Sequence, residues 1–101
     1  MDVQIYGASL DDIRELLGTS GDLRPGSAVP LTGGAVLDVQ DVSKSSGFDA
    51  TTVIVTAVIM LGQDVAKDLL KDWLKTQLAT LFKKPRKVPV TLVVDGEEIQ
   101  V

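Results

Sequence analysis

The sequence predicts one small α+β domain, ordered strand, helix, strand, long helix, strand, strand, with the helices on one face of a sheet. Three observations predict it: apolar and polar residues alternate in short runs near both ends, apolar pairs recur every four residues in one long segment, and an Asp-Gly dipeptide separates two alternating runs. A chain of 101 residues has room for one domain, over residues 1–101, and at that length a core can form without covalent staples.

Taken in order, Val3 and Ile5 alternate with Asp2, Gln4 and Tyr6, the period of a half-buried strand, and Gly7 ends it. Ser9 stands before Leu10, Asp11 and Asp12 as a helix cap, where its hydroxyl can accept an orphan amide and the acids suit the positive end of the dipole. Leu10, Ile13, Leu16 and Leu17 give that helix one apolar face, and Gly18 is placed to close it. Residues 18–34 hold so many Gly and Pro breakers that they read as a long loop, with Gly33-Gly34 as a tight turn. A second half-buried strand follows over residues 35–42, where Leu37 and Val39 alternate with Asp38 and Gln40, and residues 43–47 close it.

Residues 50–62 form an uncharged run of 13, against roughly 20 needed to cross a bilayer, so it reads as a buried core segment. Its β-branched residues suit a strand as well as an enclosed helix; Asp49 as a cap, Ala57, Met60 and Leu61 favour the helix, which is the expectation here. One straight helix over residues 50–84 would run about 50 Å, so a break is expected at Gly62. Residues 63–84 read as an amphipathic helix with Val65, Leu69, Leu70, Trp73, Leu74, Leu78, Leu81 and Phe82 on its stripe and Trp73 as a core anchor. Asp64, Asp68 and Asp72 each precede a lysine by three residues, and Pro85 ends the helix. In the final hairpin Asp95-Gly96 predicts a type I′ turn, placing Leu92 opposite Ile99 and Val90 opposite Val101.

The absence of cysteine and histidine excludes thiol nucleophiles, Ser-His-Asp triads, imidazole acid-base chemistry and His- or Cys-liganded zinc. Three carboxylate pairs remain, Asp11/Asp12, Asp38/Asp41 and Glu97/Glu98. The first fits a helix start, and strand parity sends the partners of the other two to opposite faces. No catalytic, cofactor or metal site is expected, and the chain reads as a non-enzyme. Its net charge is −4, yet residues 63–87 are net +4, with a basic patch at Lys83, Lys84, Arg86 and Lys87 that could meet phosphate, anionic lipid or an acidic partner. Overall acidity and four aromatics argue against nucleic acid. The acidic, alternating start is unlike a secretory signal, making the cytoplasm the expected compartment. The stripe ending at Leu78, Leu81 and Phe82 exceeds what two short strands and a hairpin would cover, which predicts a homo-oligomer or a partner at those three residues.

The early strand and Leu-rich helix followed by Asp22-Leu23-Arg24, and the apolar segment leading through Gly62 to Trp73-Leu74, a basic end and a hairpin, resemble the effector-associated constant component family of bacterial conflict systems. The resemblance spans most of the chain and implies a noncatalytic adaptor joining an effector to a sensor or regulator, with no catalytic residue to transfer. The leading expectation is therefore a protein-interaction module of a bacterial defence system. The alternatives are a small immunity or regulatory protein that inhibits a toxin or enzyme, and a membrane-surface protein using residues 50–62 with the basic patch.

Overall fold

A computed structural model of the chain describes residues 1–46, 51–85 and 88–100. The elements in order are β1 (Asp2–Gly7), α1 (Leu10–Leu17), β2 (Ala28–Pro30), a 3-10 turn (Thr32–Gly34), β3 (Val36–Ser46), β4 (Thr51–Met60), α2 (Lys67–Leu81), β5 (Thr91–Val94) and β6 (Glu97–Glu98). The strands make one sheet in the order β2-β3-β4-β1-β5-β6, and every neighbouring pair is antiparallel. The α+β class with helices on one sheet face is as the sequence predicts.

The expected helix over residues 50–62 is instead β4. Eight of the ten residues from Thr51 to Met60 are β-branched, and helix propensity alone disfavours such a run by roughly 3–5 kcal/mol relative to alanine. As a strand the segment sends Val53, Val55, Ala57 and Ile59 to the covered face, all buried, where a helix would scatter them around its axis. Ala57 and Met60, which argued for helix, are overridden by that pattern. Asp49 and Ala50 lie outside the described residues.

The terminal elements follow their signals. Ser9 accepts the Asp12 amide at the start of α1, and Gly18 closes it in the left-handed conformation at φ 70°. Asp95 and Gly96 both have positive φ, as a type I′ turn requires, and the Ile99 amide donates to the Leu92 carbonyl as the predicted register demands. Val101 lies outside the described residues. The loop over residues 18–34 contains two short elements, β2 and the 3-10 turn, and α2 is shorter than its periodicity suggested.

One core joins the layers: Val3 and Ile5 of β1, Leu37 and Val39 of β3, the four inward residues of β4, and Leu92 and Val94 of β5 meet Ile13, Leu16 and Leu17 of α1 and Leu70, Leu74, Leu78 and Leu81 of α2. Gln77 crosses between the helices to donate to the Leu16 carbonyl at 3.2 Å. The break expected at Gly62 is a close backbone crossing. A Cβ on Gly62 would lie 2.7 Å from the Gly34 carbonyl carbon and closer still to the Gly33 carbonyl oxygen. Gly33 in turn has φ 65° and would place a Cβ 2.6 Å from that of Val65. The two glycine signals of the sequence are thus one joint, holding the β2–β3 turn against the chain between β4 and α2.

Gly62→Ala should lower stability by roughly 1–3 kcal/mol, because backbone cannot yield as a side chain would. Gly21→Ala, at ordinary φ and with a new Cβ meeting the Thr19 hydroxyl at an ordinary 3.6 Å, should stay within about 0.5 kcal/mol of the parent. Urea unfolding of both variants checks this, and equal midpoints would contradict the joint.

Candidate functional site

The helices cover one face of the sheet, and the opposite face is left open. Strand parity assigns its residues: Asp2, Gln4 and Tyr6 on β1, Thr52, Ile54, Thr56 and Val58 on β4, and Thr91 and Val93 on β5 all alternate with buried neighbours. Cross-strand pairing arranges them in rows. Asp38, Val58 and Asp2 form one row, Asp41, Thr56, Gln4, Val93 and Glu98 the next, and Ser43, Ile54, Tyr6 and Thr91 a third. An aliphatic stripe, broken by Thr56, therefore runs along β4 from Ile54 through Val58 to Met60, which is 56% exposed and sits beside Val36.

A bulge decides the chemistry of one flank. The pairing of β3 with β4 shifts between Val39 and Asp41, so Gln40 is an extra residue and the parity of everything after it inverts. Val42 consequently turns inward opposite Val55 and packs on the core. Asp41 turns outward opposite Thr56, joining Asp38 on the open face. The sequence expectation that Asp38 and Asp41 occupy opposite faces is corrected by that one residue. Glu97 and Glu98 do alternate as expected, and only Glu98 shares the open face through its pairing with Val93.

Asp2, Asp38, Asp41 and Glu98 thus lie on one face, and among the paired strand residues no Lys or Arg shares it. None of the four is in an ion pair among the described residues. A depression of about 360 Å³ lies within this face, lined by Asp2, Gln4, Thr56, Val58, Val93 and Gly96. No cluster of acids among the described residues could hold a metal ion.

The residues singled out from the sequence are placed differently. Leu78 and Leu81 are 1% and 2% exposed and belong to the core, so they are not an interface; Phe82, 49% exposed, is the one surface residue of the three. The surplus of apolar surface that pointed to them does not arise, because β4 gives α2 a wider sheet to pack on than two short strands. Leu69 is 60% exposed and off the buried stripe, and Trp73 packs on the core while partly exposed. Truncating Trp73 should therefore cost less than the roughly 3–5 kcal/mol of a fully enclosed ring. Lys83 and Lys84 are exposed, and Lys84 reaches Glu15 of α1 at 3.2 Å. Arg86 and Lys87 lie outside the described residues. The three expected acid–lysine pairs along α2 do not form.

Lys67 bonds instead to Asp95 at 2.6 Å, tying α2 to the final hairpin, while the Asp2 amide donates to the same carboxylate at 2.9 Å. The Lys67 contact first, and the Asp2 amide second, hold the Asp95 carboxyl below its ordinary range, and Asp95 holds the Lys67 ammonium above its own. The open face itself was missed in the sequence because its aliphatics lie inside a run that reads as uniformly apolar. The signal that could have found it is the β-branched density of that run. Comparison with protein-family models, curated proteins and solved structures gives no match to this chain.

Leu81→Asp should unfold the domain, since it sets a charge in the core, whereas Phe82→Asp should leave the melting temperature within a few degrees. A folded Leu81→Asp protein by circular dichroism would contradict the assignment. For Asp95 the sign is that of a depressed acid: its contribution is present above the unfolded pKa of about 3.9 and is lost as pH falls through the lower folded value. Lys67 contributes below about pH 10.4 and loses its contribution as pH rises through its raised value. A carbon-detected NMR titration should place the Asp95 midpoint below 3.8 and show it rising in Lys67→Met; an unmoved midpoint would contradict the contact.

Proposed function

We propose that this protein is a noncatalytic protein-interaction module, an adaptor in a bacterial defence or conflict system acting in the cytoplasm. The observation that carries the reading is the open sheet face, which has an aliphatic stripe at its centre and acids on its flanks. Sheets with one solvated face usually alternate to polar residues on that side. Val58, Met60 and Val36 adjoin and depart from that rule together, with Ile54 beyond Thr56 and Val93 across Gln4, and exposed apolar surface of this kind marks sites of association. The resemblance to effector-associated constant components supplies the adaptor role and the effector as partner. A second reading, a small immunity or regulatory protein, is favoured by the acids, which suit contact with a basic toxin.

The membrane-surface alternative used residues 50–62 together with the basic patch at Lys83, Lys84, Arg86 and Lys87. Thr51–Met60 is a strand whose Val53, Val55, Ala57 and Ile59 are buried in the core, which leaves that alternative less apolar surface to use, and no helix among the described residues is long and apolar enough to cross a membrane. The homo-oligomer was expected from a patch at Leu78, Leu81 and Phe82, of which Phe82 alone remains at the surface. Self-association through the open face would bring like charges together, so a protein of different charge is the partner proposed.

Co-expression with the products of adjacent genes tests the reading. An adaptor should purify in a stable complex with an effector protease or nucleotide-switch protein, and an immunity protein with a toxin whose activity it suppresses. A chain that forms no complex with any neighbour's product would contradict both.

A further inference from the structure

We infer that the open face receives a cationic amphipathic helix of the partner protein, laid along β4 with its apolar side on Ile54, Val58 and Met60. The inference deepens the proposed function, on which it rests, by naming the surface and the chemistry of what binds there.

The geometry is that of a trough for one helix. Asp38 and Asp2 both pair with Val58, one from each side, so they stand two strand spacings apart, about 10 Å. A helix with its side chains is about 10–12 Å across. Its apolar stripe would meet the β4 aliphatics while the residues bordering that stripe reach the flanking carboxylates. Asp41 extends the β3 flank by one row in the same sense, a consequence of the Gln40 bulge. The depression beside Val58, walled by Asp2, Gln4 and Val93, gives a side chain from the helix somewhere to enter.

Charge selects the occupant. With Asp2, Asp38 and Asp41 along the trough and no Lys or Arg among the paired strand residues of the face, an acidic or neutral helix would leave these carboxylates facing a desolvated surface without side-chain partners. Lysine or arginine beside the stripe pairs with them. A second copy of this chain applied face to face would set the acids of both copies against each other, which opposes binding. The segment of this chain with basic character, α2 and its C-terminal extension, has its buried stripe committed to its own core through Leu70, Leu74, Leu78 and Leu81. A different protein presenting such a helix meets both demands, and docking it would complete a helix-sheet-helix sandwich.

The probe is a short helical peptide of leucine and lysine with its leucines on one face, compared with the same pattern in leucine and glutamate, both titrated into the isotope-labelled chain. The leucine-lysine peptide should shift amides at Asp38, Asp41, Val58 and Asp2 and leave the α1–α2 surface unchanged. Asp38→Asn combined with Asp41→Asn should weaken it roughly three- to tenfold, and added salt should weaken it further. Equal binding of the leucine-glutamate peptide, shifts confined to the helices, or no shifts at all would overturn the inference. So would concentration-dependent shifts on the open face without peptide, which would put a second copy there. Asp38→Lys with Asp41→Lys separates this inference from the broader reading. If that variant still forms its complex with a neighbour's product, the helix-binding face is wrong while the interaction module stands.

Discussion

Everything in the fold hangs on residues 51–60 lying extended between two other strands. Among the described strands β4 alone joins the β2–β3 hairpin to β1, β5 and β6 by pairing, with β3 along its length and with β1 from Val53 to Val58. Without it the sheet would divide, leaving two small ribbons that are marginal by themselves. Its inward residues close the core beneath both helices, and its outward ones form the stripe of the open face. Burying three of those side chains, Val53, Val55 and Ile59, is worth roughly 1.5–3 kcal/mol each. That is comparable in sum to the propensity that already disfavours a helix there, so local and tertiary preferences agree.

The second determinant is small in extent and large in consequence. Gln40 inserts one residue into β3, which turns Val42 into the core and Asp41 out of it. Without the bulge the far half of β3 would present Val42 to solvent and drive a carboxylate inward. With it, the core stays apolar and the β3 flank of the open face carries two acids in succession. The helix layer mixes both signs, with Arg14, Lys67, Lys71, Lys75, Lys83 and Lys84 set among Asp11, Asp12, Glu15, Asp64, Asp68 and Asp72, so the unmixed charge of the domain is the acidic one on its open face. A face of one sign steers an approaching partner of the other before contact is made.

Much of the architecture was legible from local signals. Ser9 and Gly18 bracket α1, Asp95-Gly96 dictates the last turn, and the alternation of Val3 with Ile5 and Leu37 with Val39 marks two strands. β4 was not legible as a strand because its outward positions are also apolar, which erases the alternation that identifies one. The same ambiguity propagated: with residues 50–62 taken as helix, the stripe on α2 had too little sheet to cover it, and Leu78, Leu81 and Phe82 became an apparent interface. The bulge was hidden for a different reason. No residue type at Gln40 announces it, since the inversion exists only relative to the partner strand. The open face depends on both, so it became visible only with the pairing known.

The row of Asp38, Val58 and Asp2 joins the two determinants in one place, since it requires β4 to be a strand, in this register, between β3 and β1. Nuclear Overhauser contacts across residues 51–60 measure it directly. The account predicts cross-strand contacts from Val58 to both Asp38 and Asp2, with Val42 rather than Asp41 near the inward side chains of β4. Sequential amide–amide contacts running through Val53 to Ile59, the pattern of a helix, would contradict it, and with it the open face on which the function is built.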